Sequence, residues 1–327
     1  MVEITDVRKS YGDKRAVDGI SFKIEEGEIL GFLGPNGAGK STTLNIITGY
    51  LSADSGVVTI DGTDILAEPI KAKKDIGFLP EIPPLYLEMT VIEYLNFVYD
   101  LKGCTLPRKQ HLQEVCEVVK IWDVNKRLIK NLSKGYRQRV GIAQALIGNP
   151  KVLIFDEPTI GLDPRQIIEI RNLIKTLGKE HTIILSTHIL PEVQAVCDRV
   201  VVINKGKIVA DERTEDLINA VDGSRKLVAK IVGPEEEVLK AIRSLGGVKT
   251  ADIIGKRDTD SVSYLIESQE RVDIRKSLFR LLSGKDWPLI GLEGVELSLE
   301  DIFIRLVGKE KEKAAIKNNK KTKKGEK

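Results

Sequence analysis

The sequence has few of the residues that crosslink a protein or build a metal site. Among 327 residues there are only three cysteines and three histidines. Cys104, Cys116 and Cys197 form no CxxC pair, and no histidine cluster accompanies them. This spacing predicts buried, reduced thiols rather than a zinc site or a disulfide framework.

Long apolar runs are also missing. The longest aliphatic stretch is VVVI at 200–203, whereas a transmembrane helix needs about 18 consecutive apolar residues. The first residues, MVEITDVRKSYG, lack the charged start and apolar core of a signal peptide. We therefore expect a chain without a transmembrane helix or signal peptide that works in the cytoplasm.

The net charge of +3 comes from one segment. Residues 309–327 contain nine lysines and three glutamates, and the remaining chain has 42 basic against 45 acidic residues. This balance gives no support to a basic nucleic-acid groove, so no nucleic-acid partner is expected. Because residues 309–327 lack aromatics and periodicity, they are predicted to be a disordered tail. The tail is either a solvated segment or a weak contact for an anionic membrane.

Residues 28–49, EILGFLGPNGAGKSTTLNIITG, read as an apolar strand, a glycine-rich loop and a helix. The loop fits GxxxxGK[ST], in which backbone N–H groups wrap phosphates, the lysine reaches the β/γ oxygens and the hydroxyl binds Mg²⁺. The alternative is a glycine turn of purely structural use. The candidate nucleotide-binding residues are Gly34, Pro35, Asn36, Gly37, Ala38, Gly39, Lys40, Ser41 and Thr42.

A second strand, KVLIFDEP at 151–158, places two carboxylates at its C-terminal end. In a parallel α/β sheet, ligands bind at that end of the strands. Asp156 is therefore a candidate Mg²⁺ ligand and Glu157 a candidate general base for the attacking water. The alternative is that both residues only end the strand before the Pro158 turn.

The segment NLSKGYRQR at 131–139 starts a predicted helix, and the strand with Asp156 and Glu157 follows it. This order resembles the ATP-binding cassette (ABC) ATPases over about residues 2–220. The resemblance implies an α/β P-loop cassette with a parallel sheet core, an antiparallel β subdomain and a helical subdomain at about 85–148. It also implies ATP and Mg²⁺ as ligands and a head-to-tail dimer. The signature residues, which contact the ATP of the opposite subunit in this family, would be Leu132, Ser133, Lys134, Gly135 and Tyr136.

The resemblance assigns four further residues. Tyr11 matches an aromatic residue that stacks on adenine, and His188 matches a histidine that contacts the γ-phosphate. Asp163 matches a loop at the dimer interface, although an aspartate before Pro164 serves a turn equally well. Glu81 stands where the family carries a glutamine near Mg²⁺, so it is a candidate metal ligand together with Ser41 and Asp156.

The signature departs from the family pattern LSGGQ at Lys134 and Tyr136. A lysine in the first turn of a helix opposes the helix dipole, by about 0.5 kcal/mol, unless an anion lies in front of it. In the helical subdomain, residues 89–103 are predicted to be helical, with Val91, Tyr94, Leu95 and Val98 on one face. That face either belongs to the core or receives the membrane partner.

Residues 221–308 are predicted to be a separate α+β domain. Their pattern reads βαββαβ, which is the order of a ferredoxin-like fold, followed by a helix at 298–308. No catalytic constellation is visible in this segment. Its ending, SLEDIFIRL, is similar to the C-terminal domain of ABC-2 type exporter ATPases, including the gliding-motility and drug-resistance subfamilies.

The leading hypothesis is therefore the ATP-hydrolysing subunit of an ABC exporter, bound at the cytoplasmic face of the membrane. It would act as a homodimer or heterodimer of cassettes and drive a separate transmembrane permease. One alternative is a soluble ABC ATPase of translation or DNA repair, but the single cassette and the 93 residues from Lys40 to Ser133 count against it. A nucleotide-binding regulator without turnover is a third possibility, which Glu157 and His188 weaken.

Overall fold

The computed structural model describes residues 1–216, 226–255, 261–269 and 272–294. The chain divides into two compact units, Met1–Thr214 and Glu215–Lys327. The sequence placed a boundary at 220/221, and that position lies outside the described residues, as do the predicted helix at 298–308 and the tail at 309–327.

The first unit is built on a six-stranded sheet with five parallel strands and one antiparallel edge strand. Its central strands are buried along their whole length, as expected for a parallel sheet covered on both faces. The order in the sheet is β10-β9-β3-β8-β7-β6, with bounds β3 Ile29–Leu33, β6 Ile76–Leu79, β7 Val152–Asp156, β8 Thr182–Thr187, β9 Arg199–Asn204 and β10 Lys207–Arg213.

A second, antiparallel sheet of the first unit has the order β2-β1-β4-β5. In β1 the apolar residues Val2, Ile4 and Val7 are buried while charged residues between them are exposed, so one face of the sheet packs on the core. This is the predicted antiparallel subdomain. The strands are β1 Val2–Tyr11, β2 Lys14–Ile24, β4 Ser55–Ile60 and β5 Thr63–Asp64.

Seven helices of the first unit lie within its described residues. Two of them start at points that matter for the site: α1 directly after the glycine loop, and α6 at Pro164 after the Asp163 cap. Their bounds are α1 Lys40–Ile47, α2 Pro69–Lys74, α3 Val91–Leu101, α4 Arg108–Val118, α5 Lys134–Leu146, α6 Pro164–Leu177 and α7 Leu190–Val196.

Helix α3 confirms the predicted helix in the helical subdomain. Thr90 and Glu93 form a capping box, in which the Thr90 hydroxyl accepts from the Glu93 N–H and the Glu93 carboxylate accepts from the Thr90 N–H. The Thr90 N–H and the Thr90 hydroxyl both donate to the Glu93 carboxylate, and these two hydrogen bonds lower the pKa of Glu93. The predicted stripe on this helix is buried, which settles its role as core: Val91, Tyr94, Leu95 and Val98.

The second unit has the predicted ferredoxin-like topology. Its antiparallel sheet has the order β12-β13-β11-β14, so the two strands that each precede a helix, β11 and β13, pair in the middle of the sheet. One face of the sheet buries an apolar cluster with two helices. The elements are β11 Lys226–Ile231, α8 Glu235–Arg243, β12 Val248–Gly255, β13 Val262–Ser268, α9 Arg275–Ser283 and β14 Leu289–Gly294.

The end of α5 is held by two side chains from the other helices of its layer. The Lys102 ammonium donates to the carbonyls of Ala145 and Ile147 at 3.1 and 2.8 Å, and its burial lowers its pKa to about 8. His111 Nε2 accepts the Gly148 N–H at 3.0 Å. Because an acceptor nitrogen carries no proton, this contact requires the neutral imidazole.

We expect a pH dependence of stability from His111. Burial, with a smaller contribution from Lys102, lowers its pKa from 6.5. The unfolded chain therefore binds this proton more readily than the folded chain, and the stabilisation present above pH 6.5 is lost as the pH falls through the folded pKa. The test is thermal unfolding of wild type and of His111→Gln at about pH 8 and about pH 5. Between these two pH values, the Tm of wild type should fall by a few degrees more than the Tm of the variant.

Other groups titrate in both proteins, so the difference between the two curves isolates this site. An identical shift for wild type and variant would contradict the role given to His111.

Candidate active site

A cleft of about 450 Å³ opens where β3, β7 and β8 end, at the carboxyl edge of the parallel sheet. Parallel strands bring these ends together although they are far apart in sequence. Most of the predicted nucleotide and catalytic residues line it: Tyr11, Pro35, Asn36, Gly37, Gly39, Lys40, Ser41, Thr42, Glu81, Glu157 and His188.

The loop between β3 and α1 has the backbone geometry of a phosphate cradle. Gly37 and Gly39 have φ values of 75° and 113°, which residues with side chains rarely adopt. A side chain on Gly34 would collide with the carbonyl of Ile203. Gly34 packs beneath the loop, and the buried Ala38 is likewise not part of the cleft lining. The first turn of α1 thus presents N–H groups at the cleft, which suits an anion.

Lys40 and Glu157 are both buried and lie side by side in the cleft. The Lys40 ammonium donates to the Gly34 carbonyl at 2.8 Å and lies 3.5 Å from a carboxylate oxygen of Glu157. His188 Nδ1 lies 2.9 and 3.0 Å from the two oxygens of the same carboxylate. Three segments distant in sequence therefore meet at Glu157, and a buried carboxylate with these partners is compensated for its lost hydration.

The backbone of Glu157 adopts a positive φ of 50°, which is uncommon for a residue with a side chain. Its N–H donates to the Ser186 carbonyl at 3.0 Å, which ties the turn after β7 to the end of β8. Strained positions of this kind cost about 1–3 kcal/mol and persist where surrounding contacts hold them. Here the hydrogen bonds to Ser186 and His188 hold Glu157.

Asp156 ends β7 and is 5% exposed. Within the described part of the chain, its Oδ1 has no hydrogen-bond partner. A buried carboxylate oxygen without a donor fits a hard cation, because oxygen ligands and negative charge are what Mg²⁺ prefers. Ser41 and the exposed Glu81 supply further oxygens in the cleft lining. The donor set therefore fits a magnesium-bound nucleotide.

Tyr11 ends β1 and is 52% exposed at the rim of the cleft, so its ring is available to a base. The cleft also contains Lys14, Ala16 and Ile160, which the sequence did not single out. Lys14 starts the strand after Tyr11, in a hairpin that gives no motif of its own. Lys14 joins the cleft lining because the hairpin packs against the phosphate loop, a contact that the local sequence does not show.

The signature segment is a capped helix start outside this cleft. Ser133 caps α5 by accepting the Tyr136 N–H at 3.4 Å, and Leu132 is buried. A side chain on Gly135 would collide with Gln166 of α6. The described lining of the cleft contains none of residues 132–136. The start of α5 therefore does not line the cleft that contains the phosphate loop of its own chain.

Asp163 has a structural role in this chain. Its carboxylate accepts the Gln166 N–H at 2.9 Å and caps α6, with Pro164 in the first turn. This is the turn role that the sequence left open beside the interface role. Its position at a dimer interface stays a prediction.

The site combines a phosphate loop at the start of a helix with a carboxylate pair at the end of another strand of the same sheet, and a histidine contacts one of these carboxylates. This combination defines a P-loop nucleoside triphosphatase. The profile of the ABC transporter family matches residues 17–160. The linearmycin resistance ATP-binding protein LnrL of Bacillus subtilis is 34% identical over 311 residues, which covers 94% of this chain and 99% of LnrL. The chain belongs to the ATP-binding subunits of ABC transporters.

Two further proteins that are similar to this chain are also named for transport. The Nod factor export ATP-binding protein I of Rhizobium etli is 36% identical and covers 95% of each chain. One similar solved structure is that of the dimeric ATP-binding cassette MJ0796, in a post-hydrolysis state bound to ADP and Pi. It is 29% identical with a TM-score of 0.60, and the match covers 65% of this chain and 99% of that chain. These findings confirm the predicted cassette fold and ATP hydrolysis, and they support a transporter rather than a translation or DNA-repair ATPase.

No helix among residues 1–216, 226–255, 261–269 and 272–294 is both long and apolar enough to cross a membrane.

Replacing Glu157 by glutamine should separate binding from turnover. The amide keeps the shape but cannot take a proton, so we expect a loss of about 100-fold or more in phosphate release with ATP binding retained. Steady-state phosphate release and equilibrium binding of a fluorescent ATP analogue measure the two effects. Glu180→Gln, an exposed carboxylate outside the cleft, is the matched control. Equal turnover of wild type and Glu157→Gln would remove Glu157 from the reaction.

Proposed function

We propose that the chain is the ATP-hydrolysing subunit of an ABC-2 type exporter, which works with Mg²⁺ and drives a separate transmembrane permease from the cytoplasmic face. The observation that carries this proposal is the buried Glu157 carboxylate between Lys40 and His188 in a phosphate-loop cleft. The names of the relatives from Bacillus subtilis and Rhizobium etli, which refer to resistance and export, support the direction of transport.

The residues of the cleft have different roles in the proposed hydrolysis. Lys40 lies 3.5 Å from Glu157, so a phosphate oxygen bound by its ammonium competes with this carboxylate for the positive charge. Glu157 is then available to accept the proton of the attacking water, and His188, already on its carboxylate, keeps it in place. Ser41, Asp156 and Glu81 would hold Mg²⁺, whose charge offsets that of the phosphates.

Two cassettes are needed to complete each site in this proposal. Ser133 and the N-terminus of α5 form an anion-binding helix start that does not line the cleft of the same chain. In a head-to-tail dimer this helix start would close over the nucleotide at the opposite phosphate loop. The dimeric relative MJ0796 supports such an assembly. A homodimer and a heterodimer of cassettes both satisfy this requirement.

An exposed apolar cluster in the helical subdomain is the surface we assign to the permease. Tyr86 and Phe97 meet edge to face, with ring centroids 5.2 Å apart, and are 51% and 38% exposed. Ile82 and Leu87 add exposed apolar side chains in the segment directly after Glu81. Several exposed apolar side chains within one short segment and a ring packed against it favour a protein partner. Docking there would connect the membrane subunit to the metal end of the cleft.

The remaining segments have accessory roles in this proposal. Residues 221–308 would be an α+β domain that dimerises, regulates or stabilises the subunit, and residues 309–327 would be a lysine-rich tail. The tail carries a surplus of positive charge, which favours weak contact with an anionic leaflet.

Mixing two inactive variants tests the shared site. Lys40→Ala disables the phosphate loop, and Ser133→Arg blocks the signature while leaving ATP binding at Lys40 in place. A mixed dimer keeps one intact phosphate loop opposite one intact signature, so about a quarter of wild-type activity should return. Phosphate release before and after mixing measures it. The double variant Lys40→Ala/Ser133→Arg mixed with itself is the control. No recovery would contradict the shared site.

The docking surface is tested by capture of the membrane partner. Phe97→Asp should lower recovery of a polytopic membrane protein from detergent-solubilised membranes by about tenfold, because a charge then enters an apolar interface. ATP hydrolysis by the isolated subunit should stay within about twofold. Phe279→Asp, at a phenylalanine of the second unit that is 60% exposed, is the matched control. Equal recovery with both variants would place the partner elsewhere.

A further inference from the structure

A carboxylate that the proposed reaction does not use lies behind the cleft. Glu192 is on α7 and is 1% exposed, among the buried apolar residues Leu190, Val193 and Val196 of the same helix. It is not part of the cleft lining within the described chain. A buried charge is costly unless it is hydrogen-bonded and paired, so its presence on an apolar helix face calls for a role.

Glu192 is hydrogen-bonded by two threonine hydroxyls from two different turns. Thr159 Oγ1 donates to Oε1, and Thr187 Oγ1 donates to Oε2 at 2.8 Å. Both threonines are themselves buried. Each oxygen of the carboxylate is therefore occupied by a separate segment of chain, and removal of the carboxylate would leave both hydroxyls without their acceptor.

The two turns are those that carry the reacting groups. Thr159 follows Glu157 by two residues, and Thr187 directly precedes His188. The Thr187 hydroxyl also accepts the Ile189 N–H at 3.1 Å, which fixes the chain on the far side of His188. The two segments are thus linked twice: directly by the contact of His188 with Glu157, and through Glu192 by its contacts with Thr187 and Thr159.

A cation from a third element lies near the same carboxylate. Arg171 of α6 places a guanidinium nitrogen 3.9 Å from Glu192 Oε1. Its Nε is buried and has no hydrogen-bond partner among the described residues. Because α6 begins at the Asp163 cap, the charge pair connects α7 to the helix that follows the turn of Thr159. Three elements are therefore tied to one buried carboxylate.

We propose that Glu192 is a positioning residue for ATP hydrolysis, which holds the turns of Glu157 and His188 in register through Thr159 and Thr187. It does not touch the nucleotide and acts only through these threonines. The proposal rests on the roles assigned to Glu157 and His188 in the proposed function. Loss of the bridge should lower the rate of the chemical step and leave nucleotide affinity in place, because the phosphate loop is held by other contacts.

The test combines threonine variants with Glu192→Gln. Thr159→Val and Thr187→Val remove a hydroxyl at constant shape and should lower kcat by about tenfold with nucleotide affinity within about twofold. Thr159→Ser and Thr187→Ser keep the hydroxyl and should restore most of kcat. Glu192→Gln should resemble the valine variants. Glu169→Gln, which breaks the ion pair of α6 with Arg139, is the control and should leave kcat unchanged.

A double-variant cycle separates positioning from stability alone. In a His188→Ala background, Glu192→Gln should lower single-turnover phosphate release by a smaller factor than in the wild-type background, because one of the two groups that it positions is gone. Full additivity, or unchanged kcat in the valine variants, would overturn the proposal. Should Glu157→Gln and His188→Ala themselves leave turnover intact, the assigned roles in the proposed function would fail instead. Thermal unfolding of each variant identifies any loss of fold.

Discussion

The site depends on the burial of one carboxylate, that of Glu157, between an ammonium and an imidazole. An unpaired charge in this position would be strongly destabilising, so Lys40 and His188 must both reach it. The two partners belong to segments that are distant in sequence. The parallel sheet satisfies this requirement because β3, β8 and β7 are direct neighbours, and the segments that carry Lys40, His188 and Glu157 follow their ends.

The same constraint explains the shape of the turn after β7. Glu157 takes a positive φ and donates its N–H to Ser186, so its backbone is fixed to the neighbouring strand while its side chain faces the cleft. The chain then passes Thr159, which contacts Glu192, and reaches the Asp163 cap of α6. The strained position of Glu157 is thereby followed by two anchors, Thr159 and Asp163, within six residues. Strain of this kind persists only where such contacts hold it.

The sequence predicted those parts whose signal is local. Four predicted features each lie in one continuous segment: the loop from Gly34 to Thr42, the pair Asp156 and Glu157, the α3 stripe and the βαββαβ order. In the structure most of the loop lines the cleft, the pair ends a strand, the stripe is core and the last segment forms the second sheet. Glu192 could not be found in this way, because a glutamate in the first turn of a helix is an ordinary helix-start residue. Lys14, Lys102 and His111 were missed because their partners lie far away in sequence.

The departures in the signature have a physical account within one subunit. The Lys134 side chain lies over Gly161, which has a φ of 68° and where any side chain would collide with the ammonium. The Tyr136 hydroxyl lies 3.5 Å from Asp123. Lys134 therefore rests on the turn that connects Glu157 to Asp163. A phosphate in front of α5 would offset the unfavourable charge of Lys134 at the helix start.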